Sequence, residues 1–377
     1  MISRRSKTSW STCEWRHLFL IGSIASLLGV PASSAWSATS DGDRLIEYYF
    51  EPAIAARGFT GVADCSGLAC LDFNPALLRS LNEDINITAS TGVRFNYALF
   101  NTLNNWSQTE ALLASSQYQQ ILLSTWNFIS LQTAKIDMNL GVEVQGFALS
   151  YAPVEAGALL FSHDPVLPYA DLYEYAYSSL SLGYGYQSKL PKFSEPYLSA
   201  LDLGASVKYG FGQTNRFTFD QFTSEFENVE QHSDSWVVGR LGATAVLKSS
   251  HYLALSAVVS GIPIYKNVLT NLPNNDYFDV QPGLAFKFDR FWWGDLGMTY
   301  SLSRVFYSDD FWLKQHLGIT GNIGKFEVSA GVNDAIVSYG MSLQLPLFKL
   351  SVASYGVSYS DISGLETDRI YWIKLEI

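Results

Sequence analysis

The sequence predicts an all-β chain folded as a single 14-stranded antiparallel transmembrane β-barrel, and three observations predict it. Of the 377 residues 15% are aromatic and only 16% charged, which leaves much surface suited to something other than water. Beyond residue 38 no apolar run approaches the roughly 18 residues that a spanning helix needs. In their place come segments of nine or more residues in which apolar and polar side chains alternate at period two, the pattern of strands that face lipid on one side and a lumen on the other.

At the N-terminus, Arg4, Arg5, Lys7 and Arg16 precede or flank the apolar run LFLIGSIASLLGV (18–30), and the small-residue stretch PASSAWSA follows. A basic start, a short apolar core and a small-residue exit describe a secretory signal peptide. Residues 1–35 are therefore expected to be removed, with cleavage after Ala35 and a second site after Ser37. A membrane anchor would need about 20 apolar residues. Arg4-Arg5 hints at twin-arginine export, but Ser-Lys-Thr-Ser after it fits an ordinary secretory leader better. Cleavage removes four basic residues and one acid, Glu14, so the mature chain is more acidic than the whole, whose net charge is −11. Such a balance argues against nucleic acid or anionic lipid headgroups as partners. The partners expected are outer-membrane lipid and a small molecule, in a Gram-negative outer membrane.

The alternation is plainest in three segments. In 201–211, Leu201, Leu203, Ala205, Val207, Tyr209 and Phe211 alternate with Asp202, Gly204, Ser206, Lys208 and Gly210. In 278–289, Phe278, Val280, Leu284, Phe286 and Phe288 alternate with Asp279, Gln281, Gly283, Ala285 and Lys287, and 85–97 repeats the pattern. A soluble β-sandwich also alternates. Its core, however, would not tolerate inward Lys208, Lys287 and Asp279, which a wet lumen accepts. Aromatic pairs at Phe291-Trp292-Trp293, Phe306-Tyr307, Phe311-Trp312 and Tyr371-Trp372 read as interfacial girdles at strand ends. Strands are expected near 84–98, 123–134, 138–152, 178–188, 199–213, 235–248, 251–263, 277–289, 292–305, 311–323, 325–332, 335–346, 348–359 and 368–377. The count is even, as a bacterial single-chain barrel requires. It depends on reading 123–134 as a strand. Tight links such as Ser249-Ser250 belong at the periplasmic rim and the long links 99–122, 153–177, 214–234 and 264–276 at the outer one. Segment 214–234 reads either as a long hairpin outside the membrane or as a loop. In 109–126 a helical spacing of apolar residues suggests a short cap over the mouth, or a helix packed on the rim.

The stretch GVADCSGLACLDFNPALL (61–78) resembles the N-terminal motif of the FadL/TodX-like outer-membrane proteins, through Ala63-Asp64, Ala69 and Phe73-Asn74-Pro75-Ala76. Segments 326–359 and 368–377 are similar to the closing hairpins of the same superfamily, which also takes in PorV-like and conjugal-transfer-associated barrels. Leu77 stands where that family usually has glycine, and the chain ends in Ile377 rather than an aromatic residue. The resemblance implies an N-terminal plug at 40–82 inside a barrel of 83–377, with Gly61, Asp64, Phe73, Asn74, Pro75 and Ala76 among its residues. It also implies passive uptake of hydrophobic small molecules, long-chain fatty acids or aromatic hydrocarbons. Candidate ligand contacts are Leu112, Leu113, Tyr118, Ile121 and Leu122 in the first outer loop. The alternative is a barrel that does not transport and serves as scaffold or shuttle for a secretion or transfer system, with a protein partner at its outer loops.

Two cysteines remain after export, Cys65 and Cys70, both in the expected plug. In an oxidising compartment a disulfide between them would contribute about 2 kcal/mol by chain entropy, and buried free thiols are the alternative. Two thiolates without a neighbouring histidine are half a zinc site, so no metal is expected. GITGNIGKF (318–326) misses the phosphate-loop spacing and lacks its Ser/Thr, so a turn explains its glycines. His163-Asp164 and His232-x-Asp234 lack a nucleophile motif and read as loop residues, and Asp309-Asp310 as an acidic turn. No catalytic set, enzyme activity or cofactor is expected.

Overall fold

In the computed structural model the described residues are 51–80, 84–96, 132–163, 169–190, 194–220, 225–249, 251–267, 278–291, 294–303, 305, 314–333, 335–361 and 364–377. Fourteen strands form one closed antiparallel barrel. They are β1 (Asn86–Asn96), β2 (Gln132–Val144), β3 (Phe147–His163), β4 (Tyr169–Gln187), β5 (Leu198–Asp220), β6 (Glu225–Leu247), β7 (Tyr252–Asn267), β8 (Asp279–Phe291), β9 (Gly294–Leu302), β10 (Gln315–Ile323), β11 (Phe326–Asn333), β12 (Ile336–Gln344), β13 (Lys349–Asp361) and β14 (Gly364–Glu376). Each strand pairs with its sequence neighbours, and β1 pairs with β14 to close the ring. Ala89 and Ile377 exchange both backbone hydrogen bonds at 2.8–2.9 Å, so the last residue of the chain takes part in the seam.

The registers turn the sequence alternation into rings. One outward row runs Ile136, Val93, Ile373, Val352, Met341 and Val328 across β2, β1, β14, β13, β12 and β11. All six are apolar and between 36% and 58% exposed. The adjacent inward row is Asp137, Gly92, Lys374, Ser351, Ser342 and Glu327. No apolar side chain occurs in it. Apolar residues that stay exposed beside buried polar ones invert the order of a water-soluble sheet, as a wall between lipid and a wet interior requires.

Several expectations are corrected. The second and third strands, expected at 123–134 and 138–152, are Gln132–Val144 and Phe147–His163, with a turn at Gln145-Gly146. Gly146 has φ +80°, a conformation that side chains resist. Residues 135–137, expected as a link, are strand because Lys135 and Asp137 point inward and find partners there. Residues before 132 lie outside the described set. The expected outer links 153–177 and 214–234 are largely strand, and β7 takes in 264–267 of the link 264–276, whose remainder lies outside the described residues, because β3 to β7 continue where lipid no longer dictates apolar outward residues and the sequence alternation fades. Segment 214–234 belongs to a hairpin, with β5 and β6 of 23 residues each. Trp372 is no girdle residue: it is fully buried facing inward, whereas Tyr371 faces outward and stacks on Phe95 of β1 at 5.8 Å. Trp292-Trp293, Phe306-Tyr307, Phe311-Trp312 and Asp309-Asp310 lie outside the described residues. Gly324-Lys325 forms the tight turn between β10 and β11, as expected.

Before β1 come a five-residue helix α1 (Pro52–Ala56) and two 3-10 helices, Gly67–Leu71 and Pro75–Ser80. Pro52 starts α1 where its missing N–H costs nothing. Gly58 (φ +67°) and Phe59 (φ +62°) end it, with the Phe59 N–H returning to the Ile54 carbonyl at 2.9 Å. Five of the six residues of the helix and its following cap, all but Arg57, are apolar and buried, so the segment is held by packing rather than helix propensity.

Candidate functional site

Residues 51–80 reach the inward side of every strand from β2 to β14. Helix α1 packs on β11 to β14, and the 3-10 helices pack on β2 to β6. Between them Ala63 packs with Ala254 of β7, Asp64 meets Lys287 of β8, Thr60 Oγ1 lies 2.6 Å from Thr299 Oγ1 of β9, and His316 of β10 contacts the Gly58 carbonyl at 2.9 Å. Wall glycines make room for this backbone. A Cβ on Gly204 would run into the Pro75 backbone, one on Gly242 into the Asn74 side chain, and one on Gly331 into the Arg57 backbone.

Asn74 is the best-connected residue of the segment and is fully buried. Its Nδ2 donates to the Val62 carbonyl at 2.8 Å and to Thr244 Oγ1 of β6 at 3.0 Å. Its Oδ1 accepts from the Ala76 N–H at 3.1 Å, an Asx-type turn that Pro75 then fixes. Gly61 leaves space for the Phe73 ring, which is buried, as is Ala76. Cys65 and Cys70 are joined as a disulfide with their Cα atoms 5.4 Å apart.

Three acids of the segment face cations. Glu51 accepts from Lys374 Nζ at 3.2 Å and Lys349 Nζ at 3.4 Å. Burial pushes its carboxyl up, but the two lysines outweigh this and hold it down at about 2. Asp64 accepts from Arg57 Nη1 at 2.8 Å and Lys287 Nζ at 2.7 Å, and the same contest ends with its carboxyl below the usual range. Asp72 lies 3.5 Å from Lys208 Nζ and 3.6 Å from Arg240 Nη1, while Arg240 also donates to the Leu71 carbonyl at 3.0 Å. A polar cavity of about 300 Å³ lies between 51–66 and the wall of β8 to β11 and β13, with Glu51, Arg57, Asp64, Lys287, Glu327 and Lys349 among its lining residues.

Elsewhere the inward wall carries an aromatic and ionic belt. Arg94 stacks on Trp372 at 3.7 Å from the ring centroid and pairs with Asp137 at 3.5 Å, and Lys135 pairs with Glu155. Tyr175 stacks on Tyr177 at 5.4 Å, which meets Trp236 edge-on at 5.1 Å. Phe59 meets Tyr355 edge-on at 5.1 Å. Asp234 is buried and accepts from Tyr177 Oη at 2.9 Å and from Thr214, and His232 Nδ1 lies 2.7 Å from it. His232 and Asp234 are thus inward strand residues of β6, not loop residues, and His163 ends β3. Beside this belt β3 loses register with both neighbours around Pro153, between Ala152 and Glu155 on one side and opposite Met138–Leu140 on the other. Pro153 has no N–H to give a ladder, and Ser178 Oγ caps its carbonyl at 2.7 Å.

The candidate ligand residues Leu112, Leu113, Tyr118, Ile121 and Leu122 lie outside the described residues. Gly61, Asp64, Phe73, Asn74, Pro75 and Ala76 are brought together in one buried segment. Sequence reasoning missed Glu51, Arg57 and Asp72 and the wall cations Lys349, Lys374 and Arg240. Inward charges within an alternating strand, the signal that singled out Lys208 and Lys287, would also have found Lys374.

No protein-family model matches the chain, and no curated protein matches it in sequence. Solved structures do match. The Ralstonia pickettii toluene transporter TbuX aligns with a TM-score of 0.53 at 12% identity, over 87% of this chain and 97% of that one. The TodX deltaS2S3 mutant, a monoaromatic hydrocarbon channel, aligns at 0.51 and 10% identity, over 87% and 98%. The Pseudomonas putida toluene transporter TodX aligns at 0.49 and 10%, over 87% and 97%. With the closed ring of fourteen antiparallel strands, the first two of these alignments show that the protein shares the barrel fold of TbuX and TodX.

Proposed function

We propose that this chain is an outer-membrane channel for passive uptake of hydrophobic small molecules, long-chain fatty acids or aromatic hydrocarbons, exported by the leader at 1–35. Residues 40–82 act as a plug. The observation that carries the reading is the set of contacts from residues 51–80 to every strand from β2 to β14, which places the segment across the bore from wall to wall. A porin-like sieve would need an open bore. Two solved structures of the same fold are a toluene transporter and a monoaromatic hydrocarbon channel, which supports an apolar cargo. The break in the β2–β3–β4 ladders at Pro153 supports an exit sideways into the membrane, since few backbone bonds must part there.

The test is retention of ligand by the purified, refolded protein in detergent. The protein is exposed to a mixture of fatty acids and aromatic hydrocarbons, and bound species are identified by mass spectrometry. One hydrophobic class should be retained, and lost when Leu112, Leu113 and Ile121 are made polar. A barrel that shows heat-modifiable migration yet retains nothing would overturn the reading.

A further inference from the structure

The three acids of the plug segment share one arrangement: each lies against two cations, and five of the six cations belong to the wall. Glu51 faces Lys349 and Lys374, Asp64 faces Lys287 together with the segment's own Arg57, and Asp72 faces Lys208 and Arg240. Packing alone does not demand this division of sign. A segment held by apolar contacts could be neutral at these points, and isolated inward lysines would otherwise sit in a wet lumen at no gain.

The three pairings differ in access to water. Around Asp72 the side chains are 8%, 5% and 11% exposed, whereas Asp64 is 21% and Lys287 42% exposed, on the polar cavity of about 300 Å³. An ion pair open to water is held weakly and screened by salt, whereas removing a partner from a buried one leaves an uncompensated charge. The contacts of Asn74 and the close approach of Pro75 to Gly204 fix the later half of the segment independently of charge.

We propose that Glu51, Asp64 and Asp72 are positioning residues that latch the plug to the wall by charge, and that the Asp64–Lys287 bridge is its point of release. When it parts, residues 61–66 separate from β8 and β9 and widen the adjoining cavity, while Glu51 and α1 on one side and Asp72 and Asn74 on the other stay seated. This rests on the plug reading above.

Planar bilayers containing the purified protein test it by ion current, with heat-modifiable migration confirming that each variant is a folded barrel. Wild type should be closed for most of the record. Lys287→Gln should raise the open time about fivefold, the size expected for a partly exposed ion pair. Asp64→Asn, which also takes the partner from the buried Arg57, should raise it by at least as much, and Lys287→Arg, which keeps the charge, should stay closed. Gly204→Val, whose side chain collides with the Pro75 backbone, tests the plug itself and should open the barrel whatever the latch does. If Gly204→Val opens the barrel while Asp64→Asn and Lys287→Gln stay closed, the latch is wrong and the plug stands. If Lys287→Arg opens as far as Lys287→Gln, packing rather than charge holds the segment and the latch is again wrong. If no variant, Gly204→Val included, differs from wild type, latch and plug fall together.

Discussion

At the scale of single residues, Asn74 does more than any other to order the segment before the barrel. Its amide satisfies two acceptors and one N–H, so Asn74→Ala takes that partner from the Val62 carbonyl and the Ala76 N–H, while Thr244 Oγ1 keeps Ser256 Oγ at 2.9 Å. Each such orphan costs about 1–3 kcal/mol. The expected outcome of Asn74→Ala is a segment 51–80 cut by trypsin at Arg57 or Arg79 while the barrel band survives; wild type should resist under the same conditions. Asn74-Pro75-Ala76 could be read from sequence because its turn chemistry is local. The partners of Glu51 could not, since Lys349 and Lys374 stand 298 and 323 residues away. No spacing rule links residues so far apart; only the closure of the ring brings them together.

Among the elements, the long hairpins β3–β4 and β5–β6 depart most from what alternation announced. A tilted strand of about 9–11 residues crosses a bilayer, so the 23 residues each of β5 and β6 project far beyond it. Within the membrane the solvent outside is lipid and imposes apolar outward residues; beyond it both faces tolerate polar side chains, and the period that marks a strand disappears from the sequence. What holds the extension is the backbone ladder, continuous but for one register shift between Arg216 and Phe217, and the buried Tyr177–Thr214–Asp234 set. Replacing 217–229 by a short Gly-Ser turn removes only what lies past that set. The variant is expected to keep heat-modifiable migration and to melt within about 3 °C of wild type, a change worth no more than roughly 1 kcal/mol in a domain of this size. Asp234→Ala in the full chain should lower melting by more, because Tyr177 and Thr214 both donate to that carboxylate and would be left with only their bond to each other.

For the molecule as a whole, the even strand count and the outward apolar row were legible because each depends only on period and parity. The second and third strands were misplaced by about nine residues, yet the total survived, since one turn was shifted and none was added. The tilt of the wall toward apolar outside and polar inside follows from the same low charged fraction that marked the sequence at the outset.

The seam between β1 and β14 has a consequence for how the ring can be resized. Every other neighbour pair is a hairpin whose partners meet early along the chain, whereas Ala89 and Ile377 must find one another across nearly the full length. Their antiparallel match exists because an odd number of reversals, one fewer than the fourteen strands, separates them. Excising a whole hairpin, such as β11 with β12, preserves that orientation and leaves two edges able to meet around a narrower bore. Excising β11 alone would bring the terminal strands together pointing the same way, with donors and acceptors out of step, and the sheet would be left open at two unpaired edges for other chains to find.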